Sequence, residues 1–468
     1  MNIKRILPKP LRRIFSMSRH QFWYELRANL WFSSILYAIA AVLIAGVSYW
    51  LDFVVGLADT VPMFFQTNYE LTHILVSTLI AGILTLNAFT FNSILVVLTS
   101  FSGQFTPRML LSFIADRKTQ HVLGIFNACF LYNLFMFFTL SEQLAEMYVV
   151  IPILTVIVAF LALSNFVFFI NHAVKWMQVP NLTYNMKTES QWSILTTLLK
   201  DLEPYRTKNP NTIDYNRLKE SDGICIVAGR SGYLQIVDFK RLVKEAGKDN
   251  IIIRLERRVG DFVLEQTPLL TMWSLDEDKK LNERKYRNLL YLGHKKTEVQ
   301  DTAFGVTKLK EIAIKSIGND DPETAANAVN QLSDLLLSIA KVTKFTPYLS
   351  DDNNDLRLII KEQSFDYYLH EAYAHISMYA KDDPVITTEI LQAMRLLVQS
   401  ISSDNHSCCW DFSKTVARGY KHEFAFTHNE DQYYKSIKEI ADFTGFTTEY
   451  PDFEKELKES RSGSRNNE

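Results

Sequence analysis

FTFNSILVVLTSFSGQFTPRMLLSFIADRKTQHVLG, residues 89–124, decides how the chain is read. Its first dozen residues close a long apolar run that carries a polar stripe of its own. The middle is cationic and broken by Pro107, and the end enters a second apolar run. A helix needs about 20 mostly apolar residues to cross a bilayer core. Two such runs joined by a short basic link read as neighbouring membrane spans with the link in the cytoplasm.

Working outward, four stretches are apolar and long enough to span: residues 28–54, 73–101, 122–140 and 147–170. The connection 56–72 has no Lys or Arg and contains Asp59 and Glu70, and 141–146 has only the acids Glu142 and Glu146. The link 102–121 carries Arg108, Arg117 and Lys118. The first 27 residues hold seven Lys and Arg against one acid, and Lys175 follows the fourth span. Positive charge gathers on the cytoplasmic side. Both termini and the link are therefore expected inside, with 56–72 and 141–146 outside. Residues 1–27, with Phe15, Phe22, Trp23 and Tyr24, read as a basic cytoplasmic flank beside the lipid bilayer.

In the second span Thr78, Thr85, Asn92 and Thr99 recur every seven residues and so share one helical face. Ser93 and Ser100 widen the stripe, and Ala81 and Gly82 allow close approach of another helix. Polar side chains in lipid need partners. Two readings follow: the stripe packs against neighbouring spans, where Asn127, Asn133 and Asn165 offer partners, or several subunits share it around water. The middle of each span lacks Asp, Glu, Lys and Arg, which disfavours a proton relay or a charge-carrying voltage sensor.

The 468 residues have a mean hydropathy of −0.03 because two unlike halves average out. A net charge of −2 argues against a nucleic-acid partner. Four scattered cysteines do not make a disulfide framework. Beyond Lys175 the chain alternates charge and hydrophobe. A helix over 191–202 is expected to open on Ser190. Strands follow over 223–236 and 251–273, separated by a short helix at 239–246 and by turns at 229–232 and 260–261. The fold class is an α-helical membrane protein with four transmembrane helices over 28–170 and a cytosolic α+β domain. That domain has a small β-rich module, 171–280, followed by a mainly helical region, 281–455. Asp321-Pro322 marks a helix start, acid at the N-cap and Pro at the first position. The tail 456–468 is expected to be disordered.

Catalytic signatures are absent, so no enzyme activity is expected. There is no P-loop, and Gly229-Arg-Ser-Gly232 is not a nucleophile elbow. His370 and His375 miss the zinc-protease spacing by one residue. Residues 351–362 place oxygen ligands at positions 1, 3, 5 and 12 of a calcium loop, but Leu356 occupies the sixth position, where Gly is needed. We read them as an acidic loop ahead of a helix. The run 258–270 resembles the turn and strand of lipoyl-like sandwich domains without the lysine that would be modified. No metal and no cofactor are expected.

Several runs together resemble a bacterial membrane-protein family known as domain of unknown function 2254. They are Ser102-Gly-Gln-Phe-Thr-Pro-Arg108, Phe113-Ile-Ala-Asp-Arg117, Gln120-His-Val-Leu-Gly124, Gly232-Tyr-Leu-Gln235, Gly260-Asp-Phe-Val263, Gln300-Asp-Thr-Ala-Phe-Gly305 and Asp321-Pro-Glu-Thr-Ala325. Where the family reads S-P-G-x-N-D-P-x-T-A, this chain has Ile317 for the Pro and Asp320 for the Asn. Asp320, Asp321 and Thr324 thus mark a loop whose preference is shifted if the family uses it for binding. The resemblance implies a protein of the bacterial cytoplasmic membrane with a cytosolic domain, and no activity. From the stripe and the link we expect a homo-oligomeric, channel-like or transport protein for ions or small solutes, gated by its cytosolic domain. The alternative is a membrane-anchored scaffold or signalling protein.

Overall fold

The computed structural model describes residues 30–102, 116–142, 147–211, 223–276, 281–296, 300–361 and 363–464. The basic flank 1–27, Arg108 with most of the link, and residues 465–468 lie outside them. The chain divides into two compact units at Gln178.

Among the described residues the first unit contains four helices long and apolar enough to cross a membrane. They are α1 (Leu30–Tyr49, continued by a π turn at Trp50–Val54), α2 (Tyr69–Ser102), α3 (Arg117–Thr139) and α4 (Val150–Met177). Helix α3 is central and touches the other three. Ala41 and Ala45 of α1 leave room for Tyr132 and Met136 of α3, and Val76, Leu140, Tyr148 and Ile151 complete that core. A two-residue ladder pairs β1 (Thr67–Asn68) with β2 (Met147–Tyr148). It brings the α1–α2 connection and the entry to α4 to one end of the bundle, the arrangement the acidic connections imply.

The second unit opens on α5 (Val179–Thr197), eleven residues before the start expected at Ser190. Ser190 lies inside the helix and is buried. Gly305 packs closely against it: a Cβ on Gly305 would come within 2.3 Å of the Ser190 Cβ. The β-rich stretch does not close on itself. Strands β3 (Ile224–Val227), β5 (Ile251–Leu255) and β7 (Pro268–Ser274) join one sheet, while β4 (Gly232–Val237), β6 (Phe262–Val263) and β8 (Leu290–Gly293) form another. Helix α6 (Phe239–Asp249) and the short α7 (Glu283–Arg287) lie between strands in sequence.

Helices α8 (Thr302–Ile317) and α9 (Pro322–Val342) follow. Then a hairpin, β9 (Tyr348–Ser350) and β10 (Leu356–Ile359), returns to the first sheet, in the order β3-β7-β5-β10-β9. Strand β10 pairs with β5 in parallel, Leu358 opposite Ile253. The hairpin therefore ties the helical region to the β-rich module, and the two form one unit. The acidic loop 351–355 is the turn of this hairpin and does not lead into a helix. Its carboxylates already hold a cation: buried Arg357 donates to Asp351 at 2.6 Å and to Asp355 at 3.2 Å. The guanidinium beside it holds the Asp351 carboxyl below its usual range despite partial burial.

The remaining helices are α10 (Phe365–Tyr379), α11 (Pro384–Val398), α12 (His406–Gly419), α13 (Thr427–Thr444) and α14 (Tyr450–Ser464). They stack in two layers, α8 on α10 on α12 and α9 on α11 on α13, with α5 against α8 and α9. The start Asp320-Asp321-Pro322 recurs as Asp382-Asp383-Pro384, and each second Asp caps the helix that follows. The C-terminal stretch expected to be disordered is helical to Ser464. Phe453 and Leu457 are buried, and the Arg461 guanidinium lies 4.5 Å from the Tyr433 ring centre and 4.9 Å from that of Phe424. Cation–π contact and an apolar stem let an arginine anchor a helix that composition alone marks as unfolded.

Candidate functional site

Helix α2 carries two seven-residue repeats, and only one faces its own bundle. Val76, Ile83, Thr90 and Val97 are buried. Thr78, Thr85, Asn92 and Thr99 follow each of them by two residues, which is about 200° around a helix turning 100° per residue. All four are exposed. Thr85 and Thr99 hydroxyls donate back to the carbonyls of Ala81 (2.8 Å) and Leu95 (3.0 Å). Thr78 and Asn92 make no hydrogen bond among the described residues. Gly82 beside them is open: a Cβ there would meet nothing within 4 Å. The stripe is thus turned away from α1, α3 and α4, and packing among the described residues of one chain does not account for it.

The polar contacts that do hold these helices together lie elsewhere. At the start of α3, Asp116 accepts from the Lys118 and Thr119 amides at 3.0 and 3.3 Å and pairs with His172 of α4 at 2.9 Å. Ser33 of α1 donates to Gln120 at 3.3 Å, and Tyr37 bonds His121 at 2.9 Å. Gly124 is required beneath Tyr37, since a Cβ would sit 2.3 Å from the ring. Asn165 of α4 donates to the Val122 carbonyl at 3.0 Å. Arg117 and Lys118 are exposed on the first turn of α3. At the opposite end the buried Asp52 accepts three amides of the α4 start, Val149 (3.2 Å), Val150 (2.9 Å) and Ile151 (2.8 Å). A carboxylate suits an N-terminal helix end, where unpaired N–H groups point outward.

In the second unit the loop candidates serve the start of α9. Asp321 accepts the Thr324 amide at 3.1 Å, with Pro322 at the first helical position. Asp320 has φ 56°, a left-handed conformation that Asn and Asp tolerate better than most residues. That geometry explains why Asn or Asp suits the position. Gln300 clamps β4 through the Val237 amide (2.8 Å) and carbonyl (3.1 Å). Among the described residues no group of three or more His, Cys, Asp or Glu is placed to hold a metal ion.

The profile of a family described as a predicted membrane protein, DUF2254, matches residues 27–395. The chain belongs to the DUF2254 family. Uncharacterized proteins of Mycobacterium bovis and Mycobacterium tuberculosis are 25% identical to it over 327 residues, 68% of this chain and 60% of theirs. The chain thus aligns with less than two thirds of the length of these relatives. No solved structure matches.

Within this DUF2254 chain the family-like runs are mostly joints. Asp116, Gln120, His121 and Gly124 bind α3 to α1 and α4. Gly260, with φ 94°, passes so close to Asp301 that a Cβ would clash with its carboxylate at 2.3 Å. Burial pushes the Asp301 carboxyl up to about 6, with Asp261 adding repulsion and Lys296 opposing. Because the folded-state value lies above the unfolded one, Asp301 contributes stability that is present below about pH 4 and is lost as pH rises through about 6. Asp301→Asn keeps an acceptor for the Ala303 amide and removes the charge. Thermal unfolding should find it more stable than the parent at pH 7, by roughly 1–3 kcal/mol, and flatter between about pH 4 and 6. An unchanged pH profile would contradict this account of Asp301.

Proposed function

We propose that this membrane protein is a homo-oligomeric, channel-like or transport protein in which α2 of each copy turns Thr78, Thr85, Asn92 and Thr99 toward a shared, water-containing path. The second unit lies in the cytoplasm and gates it; both termini are cytoplasmic, and residues 56–72 and 141–146 face outside. The observation that carries this reading is the outward position of the stripe. A carboxamide in lipid needs a partner, and Asn92 finds none among the described residues of its own chain. Arg117 and Lys118, exposed where α3 begins, suit a cationic collar at the cytoplasmic mouth, and the cargo would be ions or small solutes.

A monomer cannot enclose water with one helical face. Mass photometry of full-length protein in mild detergent should therefore give a multiple of the 54.1 kDa chain. A clean monomer would remove the shared path. The alternative, a membrane-anchored scaffold or signalling protein without transport, draws on the two-layer helical stack of α8 to α13, a form able to present an extended surface.

A further inference from the structure

The α1–α2 connection has a tip unlike an ordinary surface loop. Pro62-Met63-Phe64-Phe65 projects from the bundle end that holds Asp52, with Met63 81% and Phe64 89% exposed. Surface loops ordinarily carry polar residues, since apolar side chains in water are unfavourable. This tip is nevertheless built. The Gln66 carboxamide donates to the Ala58 carbonyl at 2.6 Å and to that of Val61 at 2.8 Å, and the Thr60 hydroxyl donates to Leu57 at 3.0 Å. Two 3₁₀ turns, Leu57–Asp59 and Met63–Phe65, are closed by the Thr60 amide on Leu57 and the Gln66 amide on Met63. The ladder from Thr67 to Tyr148 fixes the loop base to the bundle.

Around the same end Trp50 is exposed in the π turn of α1, and Phe138 is 87% exposed at the end of α3. Aromatic side chains at this level match the belts that membrane proteins place at the lipid interface. Residues 50–68 contain no Lys or Arg, so attraction to anionic headgroups cannot hold the loop. The carbonyls of Leu57, Ala58, Val61, Pro62 and Met63 and the amides of Thr60, Phe65 and Gln66 are paired within the loop, which lowers the cost of leaving water.

We propose that Met63, Phe64 and Phe65 insert into the interfacial region of the lipid leaflet at the Asp52 end, a wedge that fixes the depth of α1 and α2 through apolar contact alone. The occupant is the glycerol and upper acyl layer of the bilayer, contiguous with the lipid-facing surfaces of the spans. The inference rests on the four helices crossing a bilayer and is independent of any pore.

The test is nitroxide depth measurement on full-length protein in liposomes. Phe64→Cys carries the label in a Cys225→Ser, Cys408→Ser background, and Phe160→Cys on the exposed face of α4 is the control; Phe160 is 70% exposed. The expected result is that both labels relax more with oxygen than with a water-soluble nickel chelate. This should hold equally in neutral phosphatidylcholine and in mixtures containing anionic lipid. If position 160 favours oxygen while position 64 favours nickel, the wedge is wrong and the spans stand. If both favour nickel, bilayer insertion fails and the wedge with it. Dipolar broadening at position 64 without an oxygen preference would mean that a second copy covers the tip. An oxygen preference seen only with anionic lipid would mean that charge holds it. Either result overturns the proposal.

Discussion

Replacing Asp52 by alanine is expected to destabilise the protein by about 3–5 kcal/mol, from orphaning the buried amides of Val149 and Ile151 and the half-buried amide of Val150 at about 1–3 kcal/mol each, less partial relaxation. The carboxylate is buried and receives the amides of Val149, Val150 and Ile151. In water those amides would find solvent partners. Buried at the end of an apolar bundle, the amides of Val149 and Ile151 have no other partner among the described residues, and the positive end of the α4 dipole loses its counter-charge as well. Asp52→Asn keeps an acceptor oxygen but points an N–H toward other N–H groups, so it should fall between parent and Asp52→Ala. Thermal unfolding in detergent checks the order. A melting temperature for Asp52→Ala within a degree or two of the parent would show that α4 starts without this clamp.

Much of the bundle was legible in the chain. Apolar length marked four helices long enough to span, and the acidic connections 56–72 and 141–146 implied a shared end, which the Thr67–Tyr148 ladder provides. Asp321-Pro322 marked the start of α9 because acid cap and fixed proline φ act locally. The β-rich stretch was less legible. Strand partners depend on distant residues, and the hairpin 348–359 that completes its sheet enters after two long helices. The second Asp-Asp-Pro, at 382–384, carries the same local signal for the start of α11 and went unread. Arg461 was not readable as an anchor, because its partners Tyr420, Phe424, Tyr433 and Tyr434 sit far upstream.

The candidate site was half legible. Periodicity put Thr78, Thr85, Asn92 and Thr99 on one face, but a second seven-residue series, Val76, Ile83, Thr90 and Val97, has the same period. Which series packs depends on the shape of α3 and α4. Asp52 was visible as one acid inside the first apolar stretch, yet nothing nearby in sequence named the amides it caps, some hundred residues later. Asp116 and His172 are likewise ordinary residues until α3 and α4 bring them together. The loop at Asp320, Asp321 and Thr324 drew notice as a shared motif, and its geometry is that of a turn and helix cap.

Asn92→Leu separates the pore from its rival, and its expected effect is large. If the stripe lines water in an assembled oligomer, leucine places an apolar ring in the path, and such constrictions close by dewetting. An added barrier of about 1.4 kcal/mol already lowers flux roughly tenfold. The fold should be nearly unharmed, because Asn92 has no partner within its chain among the described residues. If Asn92 instead bonds a neighbouring copy without lining water, the substitution costs about 0.6 kcal/mol of association, the average for such bonds in membranes, and flux is untouched. Potassium and chloride flux should therefore be measured in liposomes for parent and Asn92→Leu, with thermal stability of both. The account predicts a parent flux above empty liposomes, reduced to roughly a tenth or less in Asn92→Leu with an unchanged melting temperature. Equal flux from the two proteins with lower stability of Asn92→Leu would contradict it.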